Sequence, residues 1–282
     1  MPELPEVEAA RRELEPVMHG ARFERVLVRR PDLRRPFPRR FAARLSGRTV
    51  RALTRRGKYL LADLSSDETL LMHLGMSGSF RLDHSDPGPH DHVVFEMSSG
   101  TVVTFNDPRR FGVMDLVATL RLDAYPALRS MGLEPLGDDF DGAALARACA
   151  RRRTPIKVAL LDQRVVAGVG NIYASEALNL AGLSPRQRAS SIATPGGAPK
   201  PAAYRLAAAI KRVLRSAIAR QTAATYRQSR FRVYDREGEP CPTRGCAGTI
   251  VRLDQAGRST FYCPVCQRAQ TSIAVPTPRS RR

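Results

Sequence analysis

Behind Pro5, a residue suited to the first turn of a helix, Val7, Ala9, Ala10, Leu14 and Val17 recur at helical spacing, and Gly20 offers a stop. The chain is therefore predicted to open on a helix. The period then shortens. Residues 22–30 alternate roughly as a strand, and Arg55-Arg56-Gly57-Lys58-Tyr59-Leu60-Leu61 reads as a tight turn entering an apolar strand, with Lys58 at its tip. Residues 70–79 read as a strand followed by a glycine-rich turn, and 93–97 as another strand. One helix followed by many short strands predicts a β-sandwich over residues 1–130. A connection over 116–140, punctuated by Pro and Gly and containing Met131-Gly132-Leu133-Glu134-Pro135, marks a boundary. From residue 141 the spacing turns helical: helices are expected over 143–152, 155–161 and 204–220, with another opened by Asn171 after Gly168 and Gly170. Residues 189–201 read as a loop. The fold class is α+β: a sandwich flanked by helices, a helical unit over 131–235, a cysteine-bearing unit over 236–270 with a hairpin near 255–262, and a loose basic tail over 271–282.

Composition turns this outline toward a partner. The 282 residues suffice for two or more domains, and a hydrophobic content of 43% is ordinary for a globular chain. The formal charge is +19, a surface that attracts polyanions, nucleic acid first and an acidic membrane face second. Between residues 29 and 58 twelve basic residues stand against one acid, Asp32. Such a run is commonly a solvated face; spread over strands and loops, it also suits phosphates. There is no apolar run long enough to span a bilayer and no apolar segment of the secretory kind, so neither a membrane anchor nor export is expected. Four of the five cysteines cluster near the C-terminus as Cys241-x4-Cys246 and Cys263-x2-Cys266. That spacing suits a tetrahedral Zn²⁺ site, with iron or a disulfide as alternatives, and a reducing cytoplasm as the compartment.

Candidate chemistry concentrates at the first residues. Removal of Met1 would leave Pro2 with a secondary amine, able to form a cationic iminium with a carbonyl carbon. A nearby helix N-terminus would favour the neutral amine, and Glu3 and Glu6, one turn apart, lie within its reach. The same acids could merely complement the helix dipole. Other candidates are Lys58 at its turn, Met76 between two glycines, and the loop Asn106-Asp107-Pro108-Arg109-Arg110-Phe111-Gly112, each of which also has an ordinary surface reading. His90 and His92 could bind metal but lack a third ligand nearby. The Gly168-Val169-Gly170-Asn171 turn beside Lys157 could hold a phosphate, whereas Tyr173 reads as core.

Several of these segments resemble the formamidopyrimidine-DNA glycosylases, bacterial enzymes that excise oxidised purines. The matching motifs are Pro2-Glu3-Leu4-Pro5-Glu6-Val7-Glu8, Arg56-Gly57-Lys58-Tyr59-Leu60, His73-Leu74-Gly75-Met76-Ser77-Gly78, the 107–112 loop, Gly168–Glu176 and the four cysteines, together running from Pro2 to Cys266. The resemblance implies a bifunctional glycosylase and AP lyase acting on duplex DNA that contains 8-oxoguanine, formamidopyrimidines or AP sites. It implies Pro2 as nucleophile, Glu3 as the acid that opens the sugar ring, Lys58 as an aid to β-elimination and Arg258 to δ-elimination. Met76, Phe111 and Arg109 would fill the gap left by an extruded base, as such a reaction requires. His73, His90, Arg152, Lys157 and Asn171 would contact DNA, and Glu6 would position. A helix–two-turn–helix motif and one structural zinc, held by Cys241, Cys246, Cys263 and Cys266, are also implied, in a monomer that works in the bacterial cytoplasm. Two departures stand out: the first cysteine pair is wider than the family's usual x2, and the 222–235 loop is shorter than in its best-known members. A related endonuclease VIII-type enzyme for oxidised pyrimidines and a non-catalytic zinc-ribbon DNA binder are the alternatives.

Overall fold

A computed structural model describes residues 1–83, 88–220 and 231–268. The expectations for the 271–282 tail and for most of the short 222–235 loop fall outside the described residues. Helix α1 (Leu4–Met18) carries Pro5 in its first turn, where the missing N–H costs nothing, and buries Leu4, Val7, Leu14 and Met18. Eight strands follow: β1 (Phe23–Val28), β2 (Val50–Arg56), β3 (Tyr59–Leu64), β4 (Glu68–His73), β5 (Ser79–Leu82), β6 (Asp91–Met97), β7 (Val102–Asn106) and β8 (Val113–Ala118), with the short helix α2 (Phe41–Leu45) between the first two. They form two antiparallel four-stranded sheets, ordered β1-β6-β7-β5 and β2-β3-β4-β8. The inward residues of both sheets, among them Phe23, Leu60, Leu70, Phe95 and Phe105, share one core with α1. This is the expected sandwich.

The helical half comprises α3 (Gly142–Cys149), α4 (Ile156–Leu161), α5 (Asn171–Ala181) and α6 (Pro201–Arg220). Helix α3 ends three residues before the expected 152. The Arg152 side chain donates through Nε to the Ala148 carbonyl at 3.0 Å, and its backbone N–H turns to Cys149 instead. Helix α6 starts earlier than expected because Pro201 serves as its first residue. The 189–201 loop contains one 3₁₀ turn, Ala189–Ile192, whose two end residues join the helical core. Helix α5 lies at the centre, with nine of its residues buried.

The halves meet at the N-terminus. Leu4 belongs to the helical core although it begins the sandwich helix, and its N–H donates to the Gly168 carbonyl at 3.0 Å. A hairpin of β9 (Val251–Gln255) and β10 (Arg258–Tyr262) runs into Cys263; Ala256 and Gly257 both take positive φ, the two-residue turn that matches strand twist. Among the described residues no helix is long and apolar enough to cross a membrane.

Candidate active site and nucleic-acid interface

The Glu3 side chain caps α5 across the seam. Its carboxylate accepts the backbone N–H groups of Gly170 (2.8 Å), Ile172 (2.9 Å) and Tyr173 (3.3 Å). Gly170 is required here, because a Cβ would lie 2.4 Å from Glu3 Cδ; Gly168 likewise makes room for Leu4. The Gly-Val-Gly turn is therefore a seat for the N-terminus rather than an open phosphate cradle. Glu3 is fully buried, and burial raises its pKa despite the opposing Lys58 charge and the donors on α5. Glu6 accepts the Glu3 N–H at 2.7 Å and the Tyr173 hydroxyl at 2.7 Å. Met1, Glu3, Met76, Asn171, Ile172, Tyr234 and Arg258 line a cleft of about 280 Å³. Met1 and Glu3, the two sequence neighbours of Pro2, are thus both on the wall of this cleft.

Lys58 is delivered by the β2–β3 turn. Gly57 takes a positive φ, its Cβ position is filled by the Met131 sulfur, and its N–H donates to Glu134 Oε1 at 2.5 Å. Glu134 also receives Arg55 (2.8 Å) and Arg56 (3.1 Å), while Arg56 donates to the Gly132 carbonyl. The Met131–Glu134 segment, read from sequence only as a boundary, thus clamps the lysine turn. Burial lowers the pKa of Lys58; Glu3 opposes the shift and Arg258 adds to it. Each of these charges therefore lies within electrostatic range of Lys58. His73 packs its ring on Tyr59 and accepts the Gly75 N–H at Nδ1, which leaves Nε2 protonated and free to donate. Burial, then Lys58 and Arg34, push its pKa down to about 4.

Met76 and Phe111 are the exposed apolar tips of two back-to-back turns. Gly75 takes a positive φ and touches the Phe111 backbone so closely that a Cβ would lie 2.3 Å from it. Buried Asp107 ties the turns together by accepting from the Ser77 hydroxyl (2.6 Å) and the Gly112 N–H (2.8 Å). The Arg109 guanidinium lies 5.0 Å over the Phe111 ring. Sequence reading passed over Asp107; its position beside Pro108 in a loop of otherwise exposed cations was the available signal. His90 and His92 diverge. His90 is exposed on the turn before β6, whereas His92 is buried with Nε2 2.9 Å from the Asp107 carbonyl oxygen, so the pair does not form a metal site.

The β9–β10 hairpin carries Arg258 into the cleft and is fixed to α5. Asn171 donates to the Ser259 carbonyl at 3.0 Å, and fully buried Lys157 donates to Asn171 (2.5 Å), Thr260 (2.9 Å) and the Ser259 carbonyl (3.2 Å). Lys157 is thus an interior bracket in this structure, its pKa lowered to about 8 chiefly by burial. Arg152 lies elsewhere, bridged to Asp162 at 2.8 Å on a second cleft lined by Arg147, Arg151 and Gly196. Glu176, also unremarked in the sequence, accepts the backbone N–H groups of Arg232, Val233 and Tyr234 and anchors the chain that enters the cysteine unit.

The sulfurs of Cys241, Cys246, Cys263 and Cys266 all lie within 4.8 Å of one another, with Cys241–Cys266 at 3.7 Å and Cys246–Cys263 at 3.6 Å. These separations are too long for disulfides and close to the edge, about 3.8 Å, of a tetrahedron built on Zn–S bonds of about 2.3 Å. The donor set fits one structural zinc ion, and the x4 spacing of the first pair does not prevent closure.

Comparison with known proteins agrees with this geometry. Residues 1–114 match the formamidopyrimidine-DNA glycosylase N-terminal domain, 131–229 its H2TH domain, and 238–269 a zinc finger found in FPG and IleRS. A formamidopyrimidine-DNA glycosylase of Beijerinckia indica is 56% identical over 288 residues, covering 95% of this chain and all of its own length. The crystal structure of the Lactococcus lactis enzyme bound non-covalently to AP-site DNA superposes with a TM-score of 0.82 at 32% identity, over 94% of this chain and 99% of that one. Its complex with FAPY-dG DNA gives 0.84 at 31%, over 94% and 100%. The chain belongs to the formamidopyrimidine-DNA glycosylase family.

Proposed function

We propose that this chain, a DNA glycosylase by its family, removes oxidised purines from duplex DNA and cuts the strand at the resulting AP site through an iminium on Pro2. After loss of Met1, the Pro2 nitrogen attacks C1′ of the lesion nucleotide. The C1′–base bond breaks, and the base leaves with the proton that the amine gives up. Glu3 protonates O4′, the C1′–O4′ bond breaks, and a C1′=N⁺ iminium remains. The cation acidifies C2′; its proton passes to Lys58, and the C3′–O bond breaks with release of the phosphate. Loss of a further proton, from C4′, expels the 5′-phosphate, with Arg258 holding the phosphate charge. Water then hydrolyses the iminium and restores the amine.

The observation that carries this reading is the placement of Glu3: it is adjacent to Pro2 in sequence, buried at the wall of the cleft, raised in pKa and gripped by three N–H groups of α5. Burial shifts this carboxyl toward the protonated form, the form that can donate. The lowered pKa of Lys58 favours its neutral, basic form. Met76, Phe111 and Arg109 serve as the wedge; His73, His90 and Arg152 hold the phosphates of the bent duplex, while Lys157 and Asn171 act on DNA through the Arg258 hairpin that they brace. We assign residues 1–130, 131–235 and 236–270 as three units of a monomer acting on DNA in the cytoplasm. Cleavage assays on duplexes bearing single lesions test the substrate. The 8-oxoguanine·cytosine and formamidopyrimidine duplexes should be cut on the order of tenfold or more faster than a thymine glycol duplex, with phosphate left at both ends of the gap. A faster thymine glycol reaction would transfer the chain to the oxidised-pyrimidine class.

A further inference from the structure

Tyr173 holds the N-terminus twice. Its backbone N–H donates to Glu3 Oε2 at 3.3 Å, and its hydroxyl donates to Glu6 Oε1 at 2.7 Å. The other oxygen of Glu6 accepts the Glu3 backbone N–H at 2.7 Å. That N–H belongs to the Pro2–Glu3 peptide, a rigid plane that also carries the Pro2 carbonyl. Once this plane is held, one torsion, ψ of Pro2, places the amine nitrogen. A residue of α5 thereby sets both the Glu3 side chain and, through Glu6, the peptide plane from which Pro2 projects.

Packing alone does not require this hydroxyl. Tyr173 is 3% exposed within the helical core, where a phenylalanine ring would fill the same space. The hydroxyl reaches out of α5 to a carboxylate on the first turn of α1, across 167 positions of sequence. Glu6 has a second consequence, since its negative charge adds to the burial that raises the pKa of Glu3; Lys58, from the β2–β3 turn, opposes it.

We infer that Tyr173 is a positioning residue: its hydroxyl, acting through Glu6, aligns the Pro2 amine with the Glu3 carboxyl. The inference rests on the proposed roles of Pro2 and Glu3. The test is single-turnover borohydride trapping on an AP-site duplex with wild type, Tyr173→Phe, Glu6→Gln and the double variant, alongside melting temperature and duplex affinity. Wild type should trap. Tyr173→Phe should trap about 10- to 100-fold more slowly with affinity within about twofold of wild type, because displacement of a reacting group costs rate and not ground-state binding. The double variant should be no slower than the slower single, since both break one linkage. Trapping by Tyr173→Phe at the wild-type rate, or slowing in the double variant equal to the product of the singles, overturns the inference alone. Should Tyr173→Phe fail to fold, wild-type trapping by a normally melting Glu6→Gln overturns it as well. A wild type that forms no adduct overturns the parent reading and this inference with it.

Discussion

The carboxyl carbon of Glu3 lies 2.4 Å from the point where a side chain on Gly170 would begin. No side chain fits there, so replacing Gly170 must push Glu3 off the three N–H groups it occupies. Gly170→Ala is predicted to lose on the order of 100-fold or more in excision rate and roughly 1–3 kcal/mol of stability through the orphaned donors. Excision kinetics and denaturant melts of the same preparation check both. Full activity in a folded Gly170→Ala protein would show that the Glu3 seat is dispensable.

The wedge residues should matter only where a base must leave the stack. Phe111→Ala and Met76→Ala are predicted to slow excision from a lesion duplex by about 10- to 100-fold, because unstacking costs a few kcal/mol that their insertion offsets. Strand cleavage of a pre-formed AP site should fall much less. The ratio of the two rates in each variant is the measurement.

Acidification should destabilise the fold through His73. Its pKa is 6.5 when unperturbed and about 4 in the folded chain. Between those values the unfolded state takes up a proton that the folded state refuses. Stability is thus complete above pH 6.5 and lost as the pH falls toward 4, by up to about 3 kcal/mol. Denaturant melts at pH 7 and pH 5 should show the loss, and His73→Gln should flatten it.

Zinc removal should act at a distance. The hairpin bearing Arg258 joins the cysteine cluster and is fixed to α5 by Lys157 and Asn171. A strong chelator, or Cys246→Ser, is predicted to reduce bound zinc from one ion per chain and to weaken duplex binding by at least about tenfold. The sandwich should keep its secondary structure. Elemental analysis and binding isotherms provide the check.

The features legible in the sequence alone are the local ones. The α1 pattern, the strand that follows Gly57 and the four cysteines each announce themselves within a few positions. Family motifs added the roles expected of Pro2, Glu3 and Lys58. What stayed hidden was made by distant residues. Glu134 reaches Gly57 across 77 positions, and Ser77 reaches Asp107 across 30. Tyr173 read as core because its ring is buried, while its hydroxyl finds Glu6 only once the two halves have met. Lys157 carried a phosphate-site signal in its neighbourhood of glycines, yet folding turns it inward to the hairpin. Periodicity reports which face of an element is buried, not which atoms meet across a seam.

The central claim is that the Pro2 nitrogen becomes covalently bound to C1′ of the lesion nucleotide. Borohydride reduction during reaction with an 8-oxoguanine·cytosine duplex, followed by peptide mapping, tests it most directly. The expected product is a chain lacking Met1, with the deoxyribose remnant attached to the peptide that begins at Pro2. An adduct on Lys58, or excision and strand cleavage by a chain that retains Met1, would contradict it.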